Sequence, residues 1–150
     1  LQTYDDVYSV FAPWQLQNGI DYTFPLGTTI PADGYLIIAK DVATFNATYG
    51  SMPAGVSVLG PYDGKLGNGG EKVDFMMPGD KEPGEDRYYI RVDRLNYSDG
   101  DHPEDFDGVT DPWPTSPDGG GDSLSRITAA DYGNDVANWA GRTKSPGSAN

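Results

Sequence analysis

Between Leu95 and Ser125 the chain carries eight carboxylates, Asp99, Asp101, Glu104, Asp105, Asp107, Asp111, Asp118 and Asp122, and neither a Lys nor an Arg. Carboxylates crowded this closely repel one another unless water or a shared cation separates them. Calcium accepts flexible cages of carboxylate and carbonyl oxygens, which a loop rich in Gly and Asp can supply. If the loop holds calcium, Asp99, Asp101, Asp105 and Asp107 are the expected ligands; a solvated acidic loop without an ion is the competing reading. The spacing is not that of an EF-hand, because the run opened by Asp105-Phe-Asp-Gly108 has no Glu at its twelfth position.

The block Gly121-Asp-Ser-Leu124 has the form of a serine-esterase nucleophile. A serine attacks only when a histidine takes its proton and an acid orients that histidine. In such esterases the histidine follows the serine in an Asp-x-x-His block, whereas the sole histidine here, His102, precedes Ser123. Ser123 is therefore expected to open a strand after a glycine turn, and no catalytic residue is assigned. His102, between Asp101 and Pro103, reads as an exposed loop residue. Hydrolysis by paired carboxylates needs two acids at a fixed separation in a cleft, and no pair in the sequence declares itself.

Trp113, between Pro112 and Pro114 in the acidic loop, is the candidate binding aromatic, a face on which a sugar ring could stack. Asn46-Ala-Thr48 and Asn96-Tyr-Ser98 match the N-glycosylation triplet, which matters only in a eukaryotic secretory host.

The elements that must position these residues read mostly as strands. Ten Tyr, five Phe and three Trp favour pleated, half-buried surfaces, and 20 Gly with 12 Pro supply the turns. Val7 to Phe11, Ile20 to Phe24 and Val56 to Leu59 read as short strands. Gly34 to Ala39 is a continuous apolar run of the kind buried on both faces, and Lys72 to Met77 follows the turn Leu66-Gly-Asn-Gly-Gly-Glu71. Arg87 to Tyr97 is the longest expected strand, with Ser123 to Ile127 after the acidic loop. One helix is predicted over Val42 to Tyr49, capped by Asp41 and stopped by Gly50, with Val42, Phe45 and Tyr49 on one stripe. The class is all-β, a single sandwich domain over residues 1–150 with one short helix and a long acidic loop.

Net charge is −13 and Cys is absent. An acidic chain with no basic cluster is not expected to bind nucleic acid, whose phosphates require cations. The apolar runs are too short to insert into a membrane. Without thiols there are no disulfides, thiolate metal sites or cysteine nucleophiles.

Several segments stand in a fixed order: Trp14-Gln-Leu with Ile20-Asp-Tyr-Thr-Phe-Pro25, Gly27-Thr-Thr-Ile-Pro-Ala-Asp-Gly-Tyr-Leu36, Leu66-Gly-Asn-Gly-Gly-Glu71, Val92-Asp-Arg-Leu-Asn-Tyr97, Pro112-Trp-Pro114, Asp118-Gly119, Ser123-Leu-Ser-Arg126, Asn134-Asp135 with Trp139, and Ser145-Pro-Gly147 with Asn150. Together these segments resemble the bacterial lamin-tail domain, an immunoglobulin-like β-sandwich related to the C-terminal globular domain of nuclear lamins. The segments are turn glycines and large apolar anchors, so the resemblance implies a fold and no catalytic set; it also places Trp14 and Trp139 in the core. Family members usually open with one or two further strands, and this chain begins about where those would finish. The resemblance thus implies a strand that lies outside this sequence or comes from another chain, because an open sheet edge recruits strands.

The expected role is a non-catalytic structural or interaction module of a secreted or cell-surface protein, partnered or self-associated through an open sheet edge into an extracellular polymer. The alternative is a calcium-dependent adhesion or carbohydrate-binding module that uses the acidic loop and Trp113. A serine hydrolase is the third reading. No cofactor is required by the first; calcium belongs to the second.

Overall fold

The computed structural model describes residues 1–149. The chain is all-β, 36% strand and 9% helical. Two strands, β1 (Gln2–Asp5) and β2 (Val10–Pro13), form an opening hairpin. β3 (Gln15–Asn18) and β4 (Ile20–Thr23) follow at once. β5 (Leu36–Ile38), the helix α1 (Val42–Tyr49) and β6 (Ser57–Leu59) form a small unit whose two strands run parallel. Then come β7 (Asp63–Gly64), β8 (Gly70–Pro78), β9 (Tyr89–Ser98), β10 (Asp122–Arg126) and β11 (Trp139–Thr143).

The main layer is a five-stranded antiparallel sheet in the order β7-β4-β3-β8-β9. Its register sets Leu16 opposite Phe75 and Phe75 opposite Asp93, so one row of side chains crosses three strands on one face. The β8–β9 register shifts between Phe75 and Met76, a bulge that bends the two longest strands. On the Phe75 side, the Trp14 ring lies 5.0 Å and the Phe24 ring 5.9 Å from the Phe75 ring, with Tyr22 5.3 Å beyond Phe24. The β10–β11 hairpin faces this layer in a sandwich-like arrangement.

α1 forms where the sequence places it. The Asp41 side chain accepts a hydrogen bond from the Thr44 N–H at 2.8 Å, Gly50 takes φ +71° at the far end, and the Phe45 and Tyr49 rings lie 4.8 Å apart. At Val7–Phe11 the structure differs from the expected strand. The Asp5 side chain accepts from the Tyr8 N–H at 3.0 Å and Ser9 adopts φ +54°, so Asp6 to Ser9 turn and β1 pairs with β2. Leu36–Ile38 is half-buried and not buried on both faces; of that run only Ala39 is buried.

Buried apolar residues are few: Ala12, Ile20, Phe24, Ala39 and Trp113. Among the described residues no large side chain is fully enclosed. Native interiors are close-packed, so the space between the two layers is incompletely filled. No helix among the described residues is long and apolar enough to cross a membrane.

Candidate functional site

The unfilled interior is a cleft of ≈ 590 Å³, within the range of ligand pockets. One wall is the inner face of the main sheet: Ile20 from β4, Val73 and Phe75 from β8, Leu95 and Tyr97 from β9. These residues share a face because side chains alternate along a strand. The opposite wall is Leu124 and Trp139, diagonal neighbours in the β10–β11 register that pairs Leu124 with Gly141 and Trp139 with Arg126, with Pro114 and Pro117 also lining the cleft.

The two walls are tied together at one end. The Asp93 carboxylate accepts from Arg126 Nη1 at 2.6 Å through Oδ2 and from the Arg94 N–H at 2.9 Å through Oδ1. Arg126 Nη2 also donates to the Asp131 carbonyl. Gly133 lies against this pair so closely that a Cβ there would stand 2.1 Å from Asp93 Oδ1, so no side chain fits. Its carbonyl accepts from Trp139 Nε1 at 2.9 Å, which holds the indole over the cleft. Arg126 Nε is buried and has no acceptor among the described residues. The buried Asn138 side chain bonds both the N–H and the carbonyl of Thr128, closing the loop between β10 and β11.

The other end is the acidic loop, and Asp111 anchors it. Asp111 is 8% exposed. Its carboxylate accepts from Ser98 Oγ, from the His102 N–H at 3.2 Å and from the Trp113 N–H at 3.0 Å. Burial by itself would raise its pKa, but the Ser98 hydroxyl and the Trp113, His102 and Gly100 N–H groups outweigh that and hold the carboxyl below the ordinary aspartate range. Asp111 was visible in the sequence only as one acid among eight. The signal that finds it is Asp-Pro-Trp, in which an Asp side chain caps the N–H two residues on.

Trp113 corrects the sequence expectation. It is no exposed stacking platform: it is 5% exposed and its ring lies 6.5 Å from that of Trp139. Asp111 pulls the loop inward, and Trp113 fills the core from beneath, while Trp14 and Trp139 are half-buried. A sugar has no access to Trp113 in this arrangement.

The four acids proposed to hold calcium are not gathered around one point. Asp99 Oδ1 accepts from the Asp101 N–H, Asp107 Oδ1 accepts from the Val109 and Thr110 N–H groups, Asp105 lies in the short 3-10 turn Pro103–Asp105, and Asp101 is exposed. Among the described residues no three His, Asp or Glu side chains converge as a metal-binding group. His102 leans on acids: its Nδ1 is 3.1 Å from Glu104 Oε1 and its Nε2 3.8 Å from Asp99 Oδ1. Ser123 Oγ stands 2.9 Å from Ser125 Oγ and donates to the Arg142 carbonyl at 3.1 Å, within the β10–β11 hairpin.

β9 is the outer strand of the main sheet. Towards its end the Asn96 N–H is taken by Asn134 Oδ1 at 2.6 Å, a side-chain cap on the edge. Towards its start Ile90 and Val92 are about half exposed, at 52% and 51%, and no strand lies beyond them among the described residues.

No family model, curated protein or solved structure matches the chain.

Proposed function

We propose that this chain is a non-catalytic interaction module, an immunoglobulin-like sandwich of the lamin-tail kind within a secreted or cell-surface protein, whose cleft receives an extended segment of a partner protein. The observation that carries this reading is the cleft itself: an apolar slot between two β-layers, walled by Val73, Phe75, Leu95, Leu124 and Trp139 and filled by no side chain among the described residues. Apolar surface left in contact with water costs about 25 cal/mol per Å², so a segment that covers these walls is favoured. An extended segment fits because the wall is pleated, with its apolar side chains at alternate positions.

The chemistry favours binding over bond-breaking. Ser123 is engaged with Ser125 and Arg142, and the imidazole of His102 faces Glu104 and Asp99. Selection from a library of extended peptides, followed by amide chemical-shift mapping on the labelled chain, tests the reading. Shifts at Val73, Phe75, Leu95, Leu124 and Trp139 are expected. Binders that shift only distant residues, or an ester hydrolysis that Ser123→Ala abolishes, would overturn it.

A further inference from the structure

We infer, on the reading just given, that the segment entering the cleft is about six residues long, apolar at alternate positions, and basic at the end lying over Asp99 and Asp118. The length follows from β9. Its contribution to the cleft runs from Asp93 to Asp99, six steps of about 3.3 Å, or about 20 Å of extended chain. Over that distance the wall offers Leu95 and Tyr97 on β9 with Val73 and Phe75 beside them, so every second residue of a segment laid along it meets an apolar surface. Burial pushes the Tyr97 phenol up, and its hydroxyl donates to the Gly67 carbonyl at 2.7 Å, so Tyr97 stays a neutral part of that wall.

Charge separates the two ends. At the Asp93 end the carboxylate is matched by Arg126. At the other end Asp99 and Asp118 line the cleft, and no Lys or Arg lies between Leu95 and Ser125. The basic group nearest to Asp99 among the described residues is the His102 ring, 3.8 Å away and shared with Glu104. A Lys or Arg on the partner provides what this stretch of chain does not, and the net charge of −13 steers such a segment toward it.

The probes are alternating Thr/Val hexapeptides, one uncharged, one with two Lys at the N-terminal end, one with two Lys at the C-terminal end, and one with two Glu. Each is titrated against the whole chain by fluorescence anisotropy at low salt and at about 0.5 M salt, where screening is strong. One Lys-tagged peptide is expected to bind about tenfold tighter than the uncharged one at low salt, and the gain should fall below about twofold at high salt. The substitution Asp118→Asn should remove part of that gain. If all the peptides bind the cleft equally, the basic end is refuted while the cleft remains a binding site. A Lys gain that Asp118→Asn does not reduce refutes it too, as mere attraction to an acidic surface. Should no peptide reach the cleft, the underlying reading fails and this inference with it.

Discussion

Asp93 on β9 and Arg126 on β10 meet at 2.6 Å across the gap between the two layers, and the backbone of Gly133 packs against the Asp93 carboxylate. A pair about a third exposed is screened by solvent, so its value lies as much in fixing the separation of the walls as in stability. Asp93→Ala should lower unfolding free energy by about 1–2 kcal/mol, measured by urea denaturation. Arg126→Met should cost a similar amount, and the double variant should cost clearly less than the sum of the two, because the residues act as a unit.

Gly133→Ala is expected to be disproportionately harmful. Its new Cβ would stand 2.1 Å from an Asp93 oxygen that Arg94 and Arg126 hold in place. A loss of about 1–3 kcal/mol is expected for such overpacking. In an Asp93→Ala background most of that loss should vanish, since the obstructing oxygen is gone. An undiminished penalty there would mean that the loop backbone, and not the contact with Asp93, needs the glycine.

Asp111 should behave as the keystone of the acidic loop. Asp111→Ala strands the Ser98 hydroxyl and the N–H groups of His102 and Trp113, and should cost about 2–4 kcal/mol. Asp111→Asn keeps an acceptor and should cost less. The sign of the pH effect follows from the lowered folded pKa: the stabilisation is present above the unfolded value, near 4, and is lost as pH falls through the folded pKa. Tryptophan fluorescence on acid titration should therefore report loosening around Trp113 below about pH 4, in the wild type and not in Asp111→Asn.

Removing Trp113 should cost more than removing any other loop side chain. Trp113→Ala empties a 5% exposed site beside Trp139, with an expected loss of about 3–5 kcal/mol. Near-neutral stability in this variant would return Trp113 to the surface role that the sequence suggested.

That reversal shows where the sequence stops being legible. α1 is readable because Asp41 and Gly50 stand at the two ends of one amphipathic turn pattern, and both act locally. β9 is readable from its own alternation. β3 is not: Gln15-Leu-Gln-Asn18 has a single apolar residue, yet it is the central strand because β4 and β8 pair with it on either side. Trp113 was misplaced because prolines and acids around an aromatic read as an exposed loop, whereas the inward pull comes from Ser98, on a different strand, bonding Asp111. The Asp93–Arg126 tie joins residues 33 positions apart, and no local pattern announces it. The glycines after Leu66 were legible as a turn; the need for Gly70 in particular comes from the Tyr97 carbonyl, which would lie 2.6 Å from any Cβ there.

His102 packs against Gly69 of the turn before β8, its ring nitrogens facing Glu104 and Asp99, with Asp105 close by and Asp111 accepting its N–H. The hydrogen bond to the Glu104 side chain, helped by the Asp99, Glu104 and Asp105 charges and opposed by desolvation, raises the imidazole pKa above 6.5. Glu104 in turn is held below 4.5 by hydrogen bonds from its own backbone N–H and from His102. For a raised histidine, the stabilisation is complete below the unfolded pKa and is lost as pH rises through the folded one. For a lowered glutamate it is present above the unfolded value and is lost as pH falls through the folded one. The contact is therefore whole only in the window between the two folded pKa values. Amide exchange across His102 to Asp111, corrected for intrinsic rates, should be slowest inside that window and rise on both sides. In His102→Gln the rise on the alkaline side should disappear, since no charge is left to lose. Because protonated His102 faces Asp99, which also lines the cleft, loss of that proton removes a competing positive charge, and a peptide with a basic end should bind more tightly as pH rises through the imidazole pKa.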